Sequence, residues 1–245
     1  MFNRYSRSNS LGLFMSPFVW ILPTTTVLLS MFFYFLSGPR AIPFFVSESD
    51  LGQPQSSLFT IGLMTSGVVL AVFAFSLHKR HPRMRATKWD PRTITLLGLL
   101  SSGSLAGVGW FDMYQHVNPH IGFSIFAFGG GLAWSWLIAS QVMDITSPFR
   151  RIIMKFCLIG LMADIVMVIA FQWATSSITT THLTPESFLN QAQAGINIAA
   201  PAEYVLIACL LANIALIQRW YDSTMSNIKE NDGQNENNTL GMEHA

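Results

Sequence analysis

The sequence predicts an all-α integral membrane protein, a bundle of six transmembrane helices with both termini cytosolic. Three observations carry this. Hydrophobic residues make up 51% of the chain and charged ones only 11%, where a soluble domain carries roughly 25% charged residues. Six apolar runs have about the length that crosses a ~30 Å hydrocarbon core. All but one of the 14 Lys and Arg residues fall on alternate connections, the bias that marks those connections as cytosolic.

Residues 1–16 are polar, carry Arg4 and Arg7, and lack the compact pattern of a cleaved signal peptide. They are expected to be a cytosolic N-terminus. The membrane domain, 17–217, follows with spans at Pro17–Ser37, Leu58–His78, Thr93–Met113, His120–Met143, Ile153–Trp173 and Ile198–Ile217. The second connection holds Lys79, Arg80, Arg83, Arg85, Lys88 and Arg92, and the fourth holds Arg150, Arg151 and Lys155. The opposite side has Arg40 alone. With Lys155, at the edge of the fifth span, counted in the fourth connection, no lysine is read deeper inside a span, which speaks against a retinal-type Schiff base. Residues 218–245 turn Asn-, Glu- and Gly-rich, the composition of a disordered cytosolic tail.

Small residues crowd spans two to four, among them Gly62, Ser66 and Gly67, then Gly98, Gly103, Gly107 and Gly109, then Gly129, Gly130 and Gly131. Helices in lipid associate by close packing, so these three spans should form the tight centre, with Gly103 and Gly107 as a GxxxG contact. Asn118 is expected to cap the fourth span, with Pro119 in its first helical position.

Several function classes are set aside. No basic cluster is interleaved with aromatics, so nucleic acid is not an expected partner. Cys157 and Cys209 sit within apolar runs and read as packing residues. HExxH, CxxC, GxSxG and P-loop patterns do not occur. A ceramidase-like zinc site would need a third histidine beside His116 and His120, and only His182 lies on the same side. No cofactor is expected, and the chain does not read as a classical enzyme.

Ionisable groups in a span are costly against lipid and turn inward toward partners. The candidates are Asp112, His116, His120, Asp164 and Glu203, with Glu48 in the first loop. Glu203 and His120 are expected at similar depth beneath that loop, as a charge-assisted pair. The pair has two readings: a clamp that fixes the bundle, or a polar pocket that takes a lipid headgroup or senses pH. On the cytosolic side, Lys79, Arg80, Arg83, Arg85 and Lys88 each add about 1 kcal/mol of attraction to an anionic leaflet. Membrane lipids are therefore the expected partners, phosphoinositides among them.

The first loop carries Phe45-Val46-Ser47-Glu48, then Pro54-Gln55, then Leu58-Phe59. His120, Phe128, Gly131 and Trp134 follow in span four, and Glu203-Tyr204 and Trp220-Tyr221-Asp222 in span six. Together they resemble the six-span DRAM family of damage-regulated autophagy modulators. That family has relatives in GPI-anchor remodelling and at the plasma membrane. In that pattern Ser47, Glu48, Pro54, Leu58 and Phe59 are the signature loop. The chain departs from it at Asp50, Gln55 and Met64, so ligand contacts there are not carried over. The resemblance implies a regulator or scaffold in endomembrane or lysosomal traffic. A lipid-handling role in the secretory pathway is an alternative, and a proton-linked transporter using Asp164 and Glu203 is a second. The compartment implied is lysosomal, endomembrane or plasma membrane.

Overall fold

The structure, a computed structural model, describes residues 17–37, 42–50, 55–80, 88–176, 178 and 183–243; the side chains of Gln55, Arg80, Pro185 and residues 228–243 lie outside that description. In chain order the elements are α1 (Phe18–Ser37), a 3-10 turn (Val46–Asp50), α2 (Gln55–Arg80), α3 (Pro91–Trp110) and α4 (Val117–Leu137), which runs into a π-turn (Ile138–Val142). Then come α5 (Pro148–Thr175), the short α6 (Pro185–Gln191) and α7 (Gln193–Glu243). Six helices, α1 to α5 and α7, are long and apolar enough to cross a membrane. Among the described residues there is no strand.

Local chemistry sets the helix starts. Asp90 caps α3 by accepting the Arg92 amide at 3.0 Å, with Pro91 in the first turn. Thr184 caps α6 by accepting the Ser187 amide at 3.3 Å. The start of α4 differs from expectation, because it begins at Val117 with His116 in the capping position. The Asp112 carboxylate accepts the amides of Tyr114 at 2.9 Å and Gln115 at 2.6 Å, so the turn closes before Asn118 is reached. Pro119 still falls in the first turn, where amide donors have no intrahelical acceptor.

Two further expectations are corrected. The last helix runs on to Glu243, where composition alone suggested an unstructured segment from 218. No proline follows Pro201, and a nucleated helix gains a hydrogen bond for each residue it adds. Lys155, counted with the basic fourth connection, stands inside α5, two turns from its start at Pro148 and within the expected span Ile153–Trp173 as well. Its side chain is exposed, so the long stem can carry the charge to the interface.

The bundle is inside-out relative to a soluble one. Leu28, Leu36, Ile61, Leu96, Ile125 and Ile169 are each more than 60% exposed, an apolar belt of the kind a bilayer covers. The interior is built on small residues. A β-carbon added at Gly62 would meet Thr26 of α1 at 2.4 Å, one at Gly67 the Ser102 carbonyl at 2.6 Å, and one at Gly98 the Trp134 indole at 2.6 Å. The sequence-expected GxxxG contact is only half present. Gly107 lies under the Phe123 ring, but a β-carbon at Gly103 would meet nothing within 4 Å. The tightest approach is elsewhere, between α5 and α7, where a β-carbon on Gly195 would stand 2.2 Å from that of Ala174 and 2.6 Å from the Ala170 carbonyl.

We call the end where α1 meets the first loop the loop end, and the opposite one the basic end. At the basic end Phe73 packs edge-on against Trp134 and Tyr221, with centroids 6.5 and 5.9 Å away. Ile94, Ile138, Ile153 and Ile217, all fully buried, complete that core. Cys157 and Cys209 are free and buried. The Cys157 thiol donates to the Leu132 carbonyl and accepts from the Asn213 amide at 3.3 Å.

Candidate functional site

At the loop end the chain does not arch away from the bundle. Phe44, Phe45, Val46, Glu48, Ser49 and Asp50 are all at most 7% exposed, so the loop between α1 and α2 folds inward among the helices. Irregular backbone at such a place needs a partner for each polar group, and side chains supply them. The Tyr204 hydroxyl accepts from the Phe44 amide at 3.2 Å and donates to the Phe44 carbonyl. The Phe45 amide donates to Glu48 at 3.1 Å, and the Val46 amide donates to Glu203 at 2.7 Å. Glu48 also accepts from the Tyr34 hydroxyl at 3.3 Å, and the Gln193 side chain donates to the Pro43 carbonyl at 3.1 Å. Phe45 is wedged against Phe171 at 5.4 Å. The loop is thus bolted to α1 and α7 by buried carboxylates and tyrosines.

Beneath it lies a cavity that offers ≈ 100 Å³ to the centres of water-sized groups. At about 10–15 Å³ for each such centre, that is room for roughly eight water-sized groups. Leu63, Leu105, Phe128, Leu210 and Ile214 wall much of it; the Ser101, Ser102 and Ser135 hydroxyls that also line it each donate to a backbone carbonyl, and Ser47, His120 and Glu203 stand on the side of the loop. Among the described residues the wall contains no Lys or Arg. His120 is 5% exposed, and its Nδ1 lies 2.7 Å from the Phe111 carbonyl. A carbonyl only accepts, so Nδ1 carries the proton and Nε2 is left as an acceptor in the neutral ring. The Ser47 hydroxyl donates to the Met113 thioether at 3.1 Å.

His120 and Glu203 therefore share one cavity wall, as their common depth suggested, but they do not pair. Glu203 holds a loop amide and His120 a backbone carbonyl. The reason is that the loop reaches further into the bundle than hydropathy shows and takes the carboxylate for itself. Asp112 and His116 form their own ion pair at 3.0 Å, half-exposed beside the cavity rather than in its wall. Burial pushes the Asp112 carboxyl up, but the Gln115 and Tyr114 amides and the His116 ring outweigh it and hold the group below the usual range. Asp164, half-buried on α5, and Glu48 are not in the cavity wall either. Among the described residues no group of three or more His, Cys, Asp or Glu could hold a metal ion, and His182 lies outside them.

Of the signature loop, Leu58 and Phe59 open α2, and Phe59, 1% exposed, lines the cavity with Ser47. Pro54 lies outside the described residues. Of the basic connection, Lys79 sits over the Phe75 ring at 4.5 Å and Lys88 is exposed. Arg83, Arg85 and the Arg80 side chain lie outside. Tyr34 and Gln193 were not singled out from sequence; a polar group on an otherwise apolar helix face is the signal that marks both.

Asp50 closes the inward loop. Burial pushes its carboxyl up to about 6, aided by nearby Asp112, while the Ser56 and Thr60 hydroxyls pull the other way. A carboxyl with a raised folded-state pKa contributes stability while protonated and loses it on ionising. Stability should fall as the pH rises from about 4 through about 6 and this group ionises. Asp50→Asn should flatten that fall and raise the melting midpoint at neutral pH. Melting curves in detergent across that pH range check it, and a slope unchanged by the substitution would refute it.

A six-span bundle whose first loop is folded back over an internal cavity is a multi-pass membrane protein built around a site within its own span interior. The chain belongs to the Frag1/DRAM/Sfk1/Cwh43P N-terminal domain family, whose profile matches residues 13–219 and so takes in all six spans. No curated protein and no solved structure matches it significantly.

Proposed function

We propose that this protein handles a membrane lipid, holding part of one apolar chain in the cavity with the polar end of the molecule beneath the inward loop. The observation that carries this is the cavity itself, apolar along most of its wall, with its ionisable groups His120 and Glu203 at the loop and the deeper Ser101, Ser102 and Ser135 hydroxyls satisfied by backbone carbonyls. A structural clamp between Glu203 and His120 would have left no such space, and both groups are instead satisfied from outside it. With no Lys or Arg among the described residues of the wall, the mouth offers a bare phosphate no cation and suits a hydroxyl or ammonium group better. The role is binding rather than catalysis. It fits the lipid-handling reading within the secretory pathway, and a traffic regulator would use the same occupancy as its signal. The transporter reading lacks a connection, since Asp164 does not share the wall with Glu203.

The test is lipid retained by the purified protein. Native mass spectrometry after reconstitution with phosphatidylcholine should show one bound lipid. Ser124→Phe, which fills the cavity from α4, should lose most of it while the melting midpoint is kept. Equal retention in that variant would sink the proposal.

A further inference from the structure

α1 is braced more closely by α2 than by α7. It packs along α2, while against α7 it leaves a groove of ≈ 510 Å³ open to the lipid-facing surface. The groove runs from Met31 and Tyr204 at one end to Trp20 and Ala215 at the other. Eleven residues of helix separate these on each side, ~16 Å, which is about half of the ~30 Å hydrocarbon thickness. It is one leaflet deep. On α7 the wall is cut back to Ala208, Ala212 and Ala215. The Thr24 hydroxyl, which also faces the groove, donates to the Trp20 carbonyl at 2.6 Å, so it asks nothing of a hydrocarbon.

The groove and the internal cavity have four wall residues in common, Val27, Val46, Ile207 and Leu211. Among the described residues, the partition between bilayer and cavity is formed by these side chains. Val27, Ile207 and Leu211 are themselves half-buried, whereas Val46 is fixed in the loop. Pro23 lines the cavity one turn before Val27. It supplies no donor to the carbonyl of Val19, so α1 is least braced beside the partition. The cavity has room for only part of an acyl chain, and the groove is where the remainder can lie.

We propose that the α1–α7 groove is the lateral route by which one acyl chain of a membrane lipid passes between bilayer and cavity, gated by Val27, Ile207 and Leu211. This rests on the lipid-handling reading above. The occupant is a chain rather than a partner helix for two reasons. A helix about 10 Å across needs a shallow face of small residues on both sides, and α1 presents Trp20, Leu28 and Met31. A helix would also have no use for a floor that opens into a cavity.

The experiment measures the rate at which bound phosphatidylcholine in the full-length protein exchanges with vesicles of deuterated phosphatidylcholine, followed by native mass spectrometry. Ala212→Trp, a wedge in the groove, should slow exchange roughly tenfold, the factor that ~1.4 kcal/mol of added barrier gives. Because the groove also holds the remainder of the chain, the wedge should lower bound lipid at equilibrium as well, so the rate is read on the lipid that stays bound. Val27→Ala, which thins the partition, should speed exchange. Ala208→Phe serves as a second wedge where the first fails to fold. Exchange unchanged in a folded wedge variant overturns the gate while leaving the cavity reading intact. A wedge that breaks up a dimer and leaves exchange untouched also overturns it, and assigns the groove to a second copy. An unaltered protein that retains no lipid instead overturns the cavity reading.

Discussion

Glu203→Ala should cost on the order of 3 kcal/mol of stability. The bond it removes joins a buried acidic side chain to the Val46 amide at 2.7 Å, and such a bond contributes about 0.5–1.5 kcal/mol net. Val46 is 5% exposed, so its amide would be left unpaired away from water, which costs about 1–3 kcal/mol and overlaps with the first figure. The truncated side chain also enlarges the cavity. Glu203→Gln keeps an acceptor at the same place and should lie within about 1 kcal/mol of the unaltered protein. Thermal midpoints in detergent, followed by tryptophan fluorescence, give the comparison. A His120–Glu203 clamp would predict otherwise: His120→Ala would then cost as much as Glu203→Ala. The loop-bolt geometry predicts that it costs less, because His120 holds only the Phe111 carbonyl. Equal losses would argue against the assignment made here.

The second large effect is at a glycine. Gly195→Ala puts a methyl group 2.2 Å from Ala174 and 2.6 Å from a backbone carbonyl, neither of which is a flexible side-chain tip. α5 and α7 must separate, and overpacking of that kind costs about 1–3 kcal/mol or more. Gly103→Ala, by contrast, meets open space on an exposed helix face, and should gain about 0.5–1 kcal/mol of helix propensity. The two substitutions are chemically identical and should move the melting midpoint in opposite directions. A loss at Gly103 would show that its face is covered by something the isolated chain does not contain.

These two glycines show what could and could not be read in advance. Their flanking sequences gave no reason to rank Gly195 above Gly103, and the GxxxG spacing favoured the wrong one. A small residue permits a close approach; whether a neighbour uses it depends on which helix face turns inward. The polar residues behaved similarly. Glu48, His120 and Glu203 stood out because lipid penalises them, and two of them do line the cavity. Their partners were hidden, because the Val46–Glu203 bond joins residues 157 apart and the Tyr204–Phe44 bond residues 160 apart. Nothing local in either segment specifies the other.

The sequence alone determined the class of this protein, its six spans and its family. Backbone groups in lipid must be satisfied within their own segment, so an apolar run of sufficient length has no choice but to be a helix, and local composition is enough to find it. The tertiary structure alone decided that the first loop turns into the bundle, that Glu203 holds it, and that α1 leaves a groove against α7. Those follow from how six nearly equivalent apolar cylinders settle against one another, where depths of contact differ by a methyl group and no local pattern records the outcome.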